Sequence, residues 1–188
     1  MMRLSRLLVP LICALTLAAG APAVAAERSA TSAGTSDVPA TQLDAIRRLD
    51  FMVGHWAGSG WVDTASGRQE FLQTEKVAYK AGGQVLTVEG QGRDKADPRR
   101  IVDTALAVVS YSDETGQYRW EAFSQGHITE SVPVVGDRFF QWSLQTGGPT
   151  IRYTLRFTGR TWHEVGEYTL DGGATWRQNF QMDLRRVA

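Results

Sequence analysis

From Trp56 to Arg186 the chain is a series of short apolar or alternating runs, each eight to twelve residues long, separated by turn residues. The runs are Trp56–Thr64, Gln69–Lys80, Gln84–Arg93, Ile101–Ser112, Gln117–Gln125, Ile128–Val135, Arg138–Thr146, Thr150–Thr158, Thr161–Leu170 and Thr175–Arg186. Between them stand "ASG", "AGG", "DETG", "GD", "TGG", "TGR" and "DGGA", which supply the backbone conformations that tight turns require. Runs this short, joined this tightly, predict antiparallel strands in sequential order. An open meander of about ten strands leaves two unpaired edges, and closure removes them. The expected fold is therefore all-β: an antiparallel up-and-down meander closing into a barrel of about ten strands.

Side-chain alternation sets the inner face of several strands. Ile151, Tyr153, Leu155 and Phe157 alternate with Arg152, Thr154 and Arg156, and Trp176, Gln178, Phe180, Met182 and Leu184 alternate with polar residues. Each apolar set should point inward. Ile101–Ser112 is apolar on both faces and has no evident phase. The one helical stretch is "TQLDAIRRLDF", Thr41–Phe51, with Thr41 as N-cap, Asp44 in the first turn and Leu43, Ile46 and Phe51 along one side. It is too short to stand alone and should cap the barrel base. "GHWAGSGW", Gly54–Trp61, then opens the first strand. Glycine in a strand marks a bend or a close approach of another backbone. Trp56 is expected to plug the barrel end above the helix.

The chain divides into three parts. Residues 1–26 carry Arg3 and Arg6, an apolar run from Leu7 to Leu17, and small residues ending in "AVAA". That pattern predicts a secretory signal peptide, and the run falls short of the ~20 residues of a membrane span. Cleavage near Ala26 removes Cys13, the only cysteine, and leaves eighteen Lys and Arg against twenty Asp and Glu. The mature chain would have neither a disulfide nor the basic footprint expected of a nucleic-acid binder. An exported protein, periplasmic or secreted, is expected. Residues 27–40, "ERSATSAGTSDVPA", are polar and small and read as a disordered linker. Residues 41–188 form the barrel domain.

Gly54-x-Trp56 after a short helix, at the head of a meander barrel, resembles the Gly-x-Trp signature of the lipocalin/calycin superfamily. In that superfamily an arginine after the last strand packs over the tryptophan, a role open here to Arg185 or Arg186. The longer pattern "LDFMVGHWAGSGW", "TEKVAYKAGGQVLTVEGQG", "ALAVVSYSDETGQYRW", "IRYTLRF" and "WHEVGEYTLDGGATWRQNFQMDLRR" resembles the bacterial DUF1579 family. This resemblance runs from about Leu49 to Arg186 and implies a lipocalin-like barrel without implying a reaction. Nitrobindin, a haem barrel, also begins with Gly-x-Trp-x-Gly-x-Gly. Its iron is held by a histidine on the last strand, and "TWRQNFQMDLRR" has none. No cofactor is expected.

His55, His127 and His163 lack metal-ligand spacing, so no metal is expected. "TLDGGATW", Thr169–Trp176, fits the Asp-box pattern of sialidases, where the motif is a structural hairpin turn. "GSGWVD" and "GQGRDK" lack the glycine spacing of phosphate loops. Two acids stand out. Glu75 shares its parity with Phe71, Val77 and Tyr79, and Glu164 shares its parity with Trp162 and Tyr168. A carboxylate so placed must be paired, hydrogen-bonded or protonated. Each could hold the wall together, orient a ligand or act as a general acid or base. With Trp120, Tyr153, Trp162 and Gln178 they make a candidate pocket for a small hydrophobic or amphipathic ligand; a filled core is the alternative. An enzyme of the same fold, or an interaction module using exposed tryptophans, are the competing functions.

Overall fold

A computed structural model describes residues 41–187. The proposed signal peptide and linker lie outside the described residues. A short helix α1 (Gln42–Arg47) leads through a single 3-10 turn (Asp50–Met52) into eleven strands: β1 (Gly54–Thr64), β2 (Gly67–Lys80), β3 (Val85–Asp94), β4 (Ile101–Ser112), β5 (Gln117–Ser124), β6 (His127–Ser131), β7 (Val134–Gly136), β8 (Phe139–Gln145), β9 (Thr150–Phe157), β10 (Thr161–Thr169) and β11 (Arg177–Arg186). All belong to one antiparallel sheet, ordered β6-β5-β4-β3-β2-β1-β11-β10-β9-β8-β7. The first and last strands pair along seven residues, from Trp56 opposite Arg186 to Val62 opposite Phe180.

The expected closed ten-strand barrel is corrected in two respects. The run Ile128–Val135 is two strands, because Val132 and Pro133 interrupt it; proline has no N–H to give a ladder. No ladder joins β6 to β7, so the sheet is a curled half-barrel whose free edges face each other at that seam. Side chains partly span the gap. The Trp120 ring on β5 stacks on Trp142 of β8 with centroids 5.3 Å apart, and the Ser143 amide donates to Ser131 Oγ at 3.2 Å.

The helix is also shorter than the sequence suggests, ending before the 3-10 turn. Thr41 caps it as expected, accepting from the Asp44 amide. Six helical residues have little stability of their own. Burial of Ile46, Leu49 and Met52 holds the segment in place, each contributing about 1.5–3 kcal/mol. The Tyr118 hydroxyl also donates to the Ala45 carbonyl at 2.6 Å.

Trp56 sits fully buried above this plug, its indole N–H donating to the Met52 carbonyl at 2.8 Å. Phe157 and Trp162 meet it edge-on at 5.6 and 5.9 Å. The arginine over its face is Arg186, with the guanidinium 4.2 Å from the ring centroid and bonded to the Val53 and Phe51 carbonyls. Arg186 lies on the same sheet face as Trp56 because the two are direct cross-strand partners. The glycines of β1 now have a cause. A Cβ at Gly58 would lie 2.1 Å from the Asp183 carbonyl oxygen, so the approach of β1 to β11 requires its absence.

Candidate functional site

The helix closes one end of the half-barrel, and the β1–β2 turn and the β3–β4 loop stand at the other. Inside is a cavity of about 820 Å³. Its wall is a continuous aromatic chain. Trp142 stacks on Trp120 on one side and on Tyr153 on the other, at 5.3 and 4.5 Å; Tyr153 meets Phe180 at 5.5 Å, and Phe180 stacks on Phe71 at 5.7 Å. Each of these residues occupies the inward parity of its strand. On β4 the inward set proves to be Ala105, Ala107 and Val109, while Leu106 faces outward. Small side chains there leave room in the interior.

Five of the six expected pocket residues line this cavity together: Glu75, Trp120, Tyr153, Trp162 and Glu164. Gln178 does not, and this corrects its assignment. A register shift between Gly166 and Glu167 inserts an extra residue in β11. A bulge turns the alternation over. Gln178 is thereby exposed, its amide bonded to the Phe180 carbonyl and to Gln181, while Asn179 takes the inward place. Trp176 is displaced for the same reason, and stacks under the Arg152 guanidinium at 3.8 Å instead of entering the core. Asn179 and Trp142 belong to the cavity although the sequence did not single them out, and Phe180, expected to face inward, joins them. Trp142 shares the parity of Phe140 and Leu144, and that signal was available. The bulge behind Asn179 had none.

The two carboxylates lie towards the closed end. Glu75 is opposite Trp56 and Gly90, and Glu164 is opposite Leu155 and Met182. Glu75 Oε1 accepts from Gln73 Nε2 at 2.7 Å, and Glu164 Oε2 accepts from the Trp162 indole at 3.1 Å. Space for the Gln73–Glu75 pair comes from β3, where a Cβ at Gly90 would stand 2.7 Å from Glu75 Oε1. The "GQG" stretch is thus a niche for two polar side chains. Loss of water pushes Glu75 up to about 7, against the Gln73 hydrogen bond, which pulls the other way. Burial also pushes Glu164 up to about 8, with the charge of Glu75 adding to the effect. Burial and the Glu164 charge raise Tyr153 as well. Carboxyls held near neutrality can keep or release a proton at ordinary pH.

Three buried side-chain polar atoms have no hydrogen-bond partner among the described residues: Glu75 Oε2, Trp120 Nε1 and Asn179 Oδ1. All three belong to residues of the cavity wall. Leaving such atoms unpaired costs about 1–3 kcal/mol each. Nearer the mouth, the lining cations are already matched: Arg68 with Asp63 at 2.8 Å, Lys95 with Glu70 at 3.1 Å, and Arg100 with Asp94.

The remaining motifs are structural or peripheral. Asp171 accepts from the Thr175 amide and hydroxyl and from the Thr169 hydroxyl, which closes the Asp-box turn and holds its carboxyl well below the usual range. His163 lies on the outer face with Nδ1 2.6 Å from Asp183 Oδ1. Among the described residues no three His, Cys, Asp or Glu side chains are grouped to hold a metal ion. The tryptophans make no exposed patch. Trp61, on the outer face, lies under Arg68 at 3.5 Å, and Trp176 lies under Arg152.

No protein-family model matches the sequence, and no curated protein does. Solved structures do resemble the fold. Rv2717c from M. tuberculosis superimposes with a TM-score of 0.58 at 15% identity, over 77% of this chain and 98% of its own. The S-type phycobiliprotein lyase CPES from Guillardia theta does so with a TM-score of 0.52 at 11% identity, over 77% and 93%. At these identities the likeness concerns architecture alone: an antiparallel, curled, lipocalin-like sheet.

Proposed function

We propose that this chain is an exported protein that binds a small, partly apolar molecule inside its barrel, with Glu75, Trp120, Tyr153, Trp162 and Glu164 among the residues around it. The observation that carries this reading is the interior of about 820 Å³, aromatic along its wall, whose lining residues hold three buried polar atoms without partners. A volume of several hundred Å³, mostly apolar with a few convergent polar groups, suits a ligand of drug size. Each unpaired atom is a penalty that a fitted molecule removes. Resemblance in fold to a phycobiliprotein lyase is consistent with a barrel that handles small molecules.

The test is titration with the neutral fluorophore N-phenyl-1-naphthylamine. Saturable binding at one site is expected, with quenching of tryptophan emission and at least tenfold weaker binding in Trp142→Ala. Absence of saturation, or binding indifferent to Trp142, would overturn the reading. Export is supported by the basic, apolar and small-residue order of residues 1–26. N-terminal sequencing of the protein from its native cells should find a start near Ala26 or Glu27, and an intact Met1 start would overturn that part.

A further inference from the structure

We infer that the cavity selects organic cations, specifically flat or aromatic amines whose ammonium N–H groups bond to Glu75 and Glu164. This rests on the ligand-binding reading above and adds the charge of the ligand to it.

The lining of the cavity is acidic. Six acids and three bases surround the cavity, and all three bases stand at the mouth in ion pairs. Three acids remain without a cation: Glu75 on β2, Glu164 on β10 and Asp103 on β4. Asp103 accepts from Ser124 Oγ and Gln125 Nε2 at 2.8 and 3.1 Å, which meets part of its need. The groups around the deeper pair are Gln73 and Trp162 on the same strands and Trp56, Gly90, Tyr153, Leu155 and Met182 on neighbouring ones, and none is a cation. Arg186 is engaged at the base over Trp56.

Geometry supplies the second part. Glu75 is nine-tenths buried, yet its Oε2 has no donor among the described residues. Asn179 Oδ1 also lacks a donor, so two of the three unpartnered atoms are acceptors. Once Glu75 is ionised, a ligand rich in N–H groups satisfies them, and a carboxylate ligand cannot. The aromatic wall agrees with this choice, since the faces of tryptophan, tyrosine and phenylalanine attract cations. Trp120 Nε1 remains to donate to an acceptor on the same molecule. A fatty-acid-type anion would instead bring a third charge against Glu75 and Glu164 in a site of low dielectric.

Three probes of one shape decide the matter: 1-naphthylmethylammonium, 1-naphthylmethanol and 1-naphthoate, titrated calorimetrically into the purified protein at pH 8. The ammonium should bind at least tenfold more tightly than either other probe. Its affinity should increase between pH 6 and pH 8, as the carboxyls that face it lose their protons. In Glu75→Gln and Glu164→Gln the preference should fall towards unity. If the alcohol or naphthoate binds as well as the ammonium, the cation proposal fails while the ligand-binding reading stands. The proposal also fails if both variants keep the full preference. If no probe binds and N-phenyl-1-naphthylamine does not either, both readings fail together. Should a variant not fold, the order of the three probes on the unaltered protein still decides.

Discussion

At the scale of single residues, Glu75 and Glu164 carry the chemistry of this molecule. Both occupy inward positions on alternating strands, where a valine or leucine would fold more cheaply. Their carboxyls lie near 7 and 8 in the native state, against an ordinary value of 4.5. Between those limits the native chain holds protons that the unfolded chain has released. Stability therefore falls as pH rises from about 5 to about 8, and levels off once both states are ionised. Melting temperatures measured from pH 5 to pH 9 should show this decline. The double change Glu75→Gln, Glu164→Gln should flatten most of it and stabilise the protein at pH 9 by on the order of a few kcal/mol. A profile unaltered by the double change would mean that the pair is not buried as described. Asp171 acts in the opposite sense, because its hydrogen bonds favour the charged form; its contribution is lost as pH falls to the acid end.

Among the elements, β1 is the most constrained. It pairs with β2 on one side and β11 on the other, and so joins the first strand to the last. Gly58 makes that contact possible, as a Cβ there would meet backbone that cannot move independently of the strand. Gly58→Ala should cost about 1–3 kcal/mol in urea denaturation, in the range of overpacked interiors. Gly148→Ala is the control, since nothing lies within 4 Å of its would-be Cβ. It should be neutral or slightly stabilising. Equal losses from both would mean that the close approach of β1 to β11 is not what excludes a side chain at Gly58. β11 shows the limit of periodicity: its inward set was legible at Phe180, Met182 and Leu184, but one bulge exchanged Gln178 for Asn179. β6 and β7 show the effect of Pro133, which divides a run that otherwise reads as one strand.

For the whole molecule, the seam matters most. The first and last strands close on each other, while the break falls between β6 and β7, which follow one another in sequence. Backbone amides of β1 and β11 have ladder partners on both sides, whereas β6 and β7 each have one free edge. Hydrogen exchange should therefore be fastest in Gln125–Gly136 and slowest in Trp56–Val62 and Phe180–Leu184, by orders of magnitude. Uniform protection around the barrel would imply a ladder across the seam. This open flank is also where exposed apolar residues gather: Leu106, Phe123 and Ile128 align across β4, β5 and β6 on the outer face. Trp120 and Trp142 provide much of the inner contact across the gap, so the aromatic wall of the cavity also helps to hold the seam.

Local order was written in the sequence. Turn residues and a period of two set nearly every strand, the Thr41 cap began the helix, and parity turned Tyr153 inward and put Glu75 and Glu164 on the same face as apolar neighbours. These follow from interactions between residues close in the chain, or from a choice of sheet face that each strand makes by itself. The tertiary structure alone decided where the sheet breaks, that Asn179 replaces Gln178, that Gly90 makes room for a carboxylate, and that the interior is a cavity instead of a filled core. Each depends on how distant strands meet, a relation in space that no local pattern encodes.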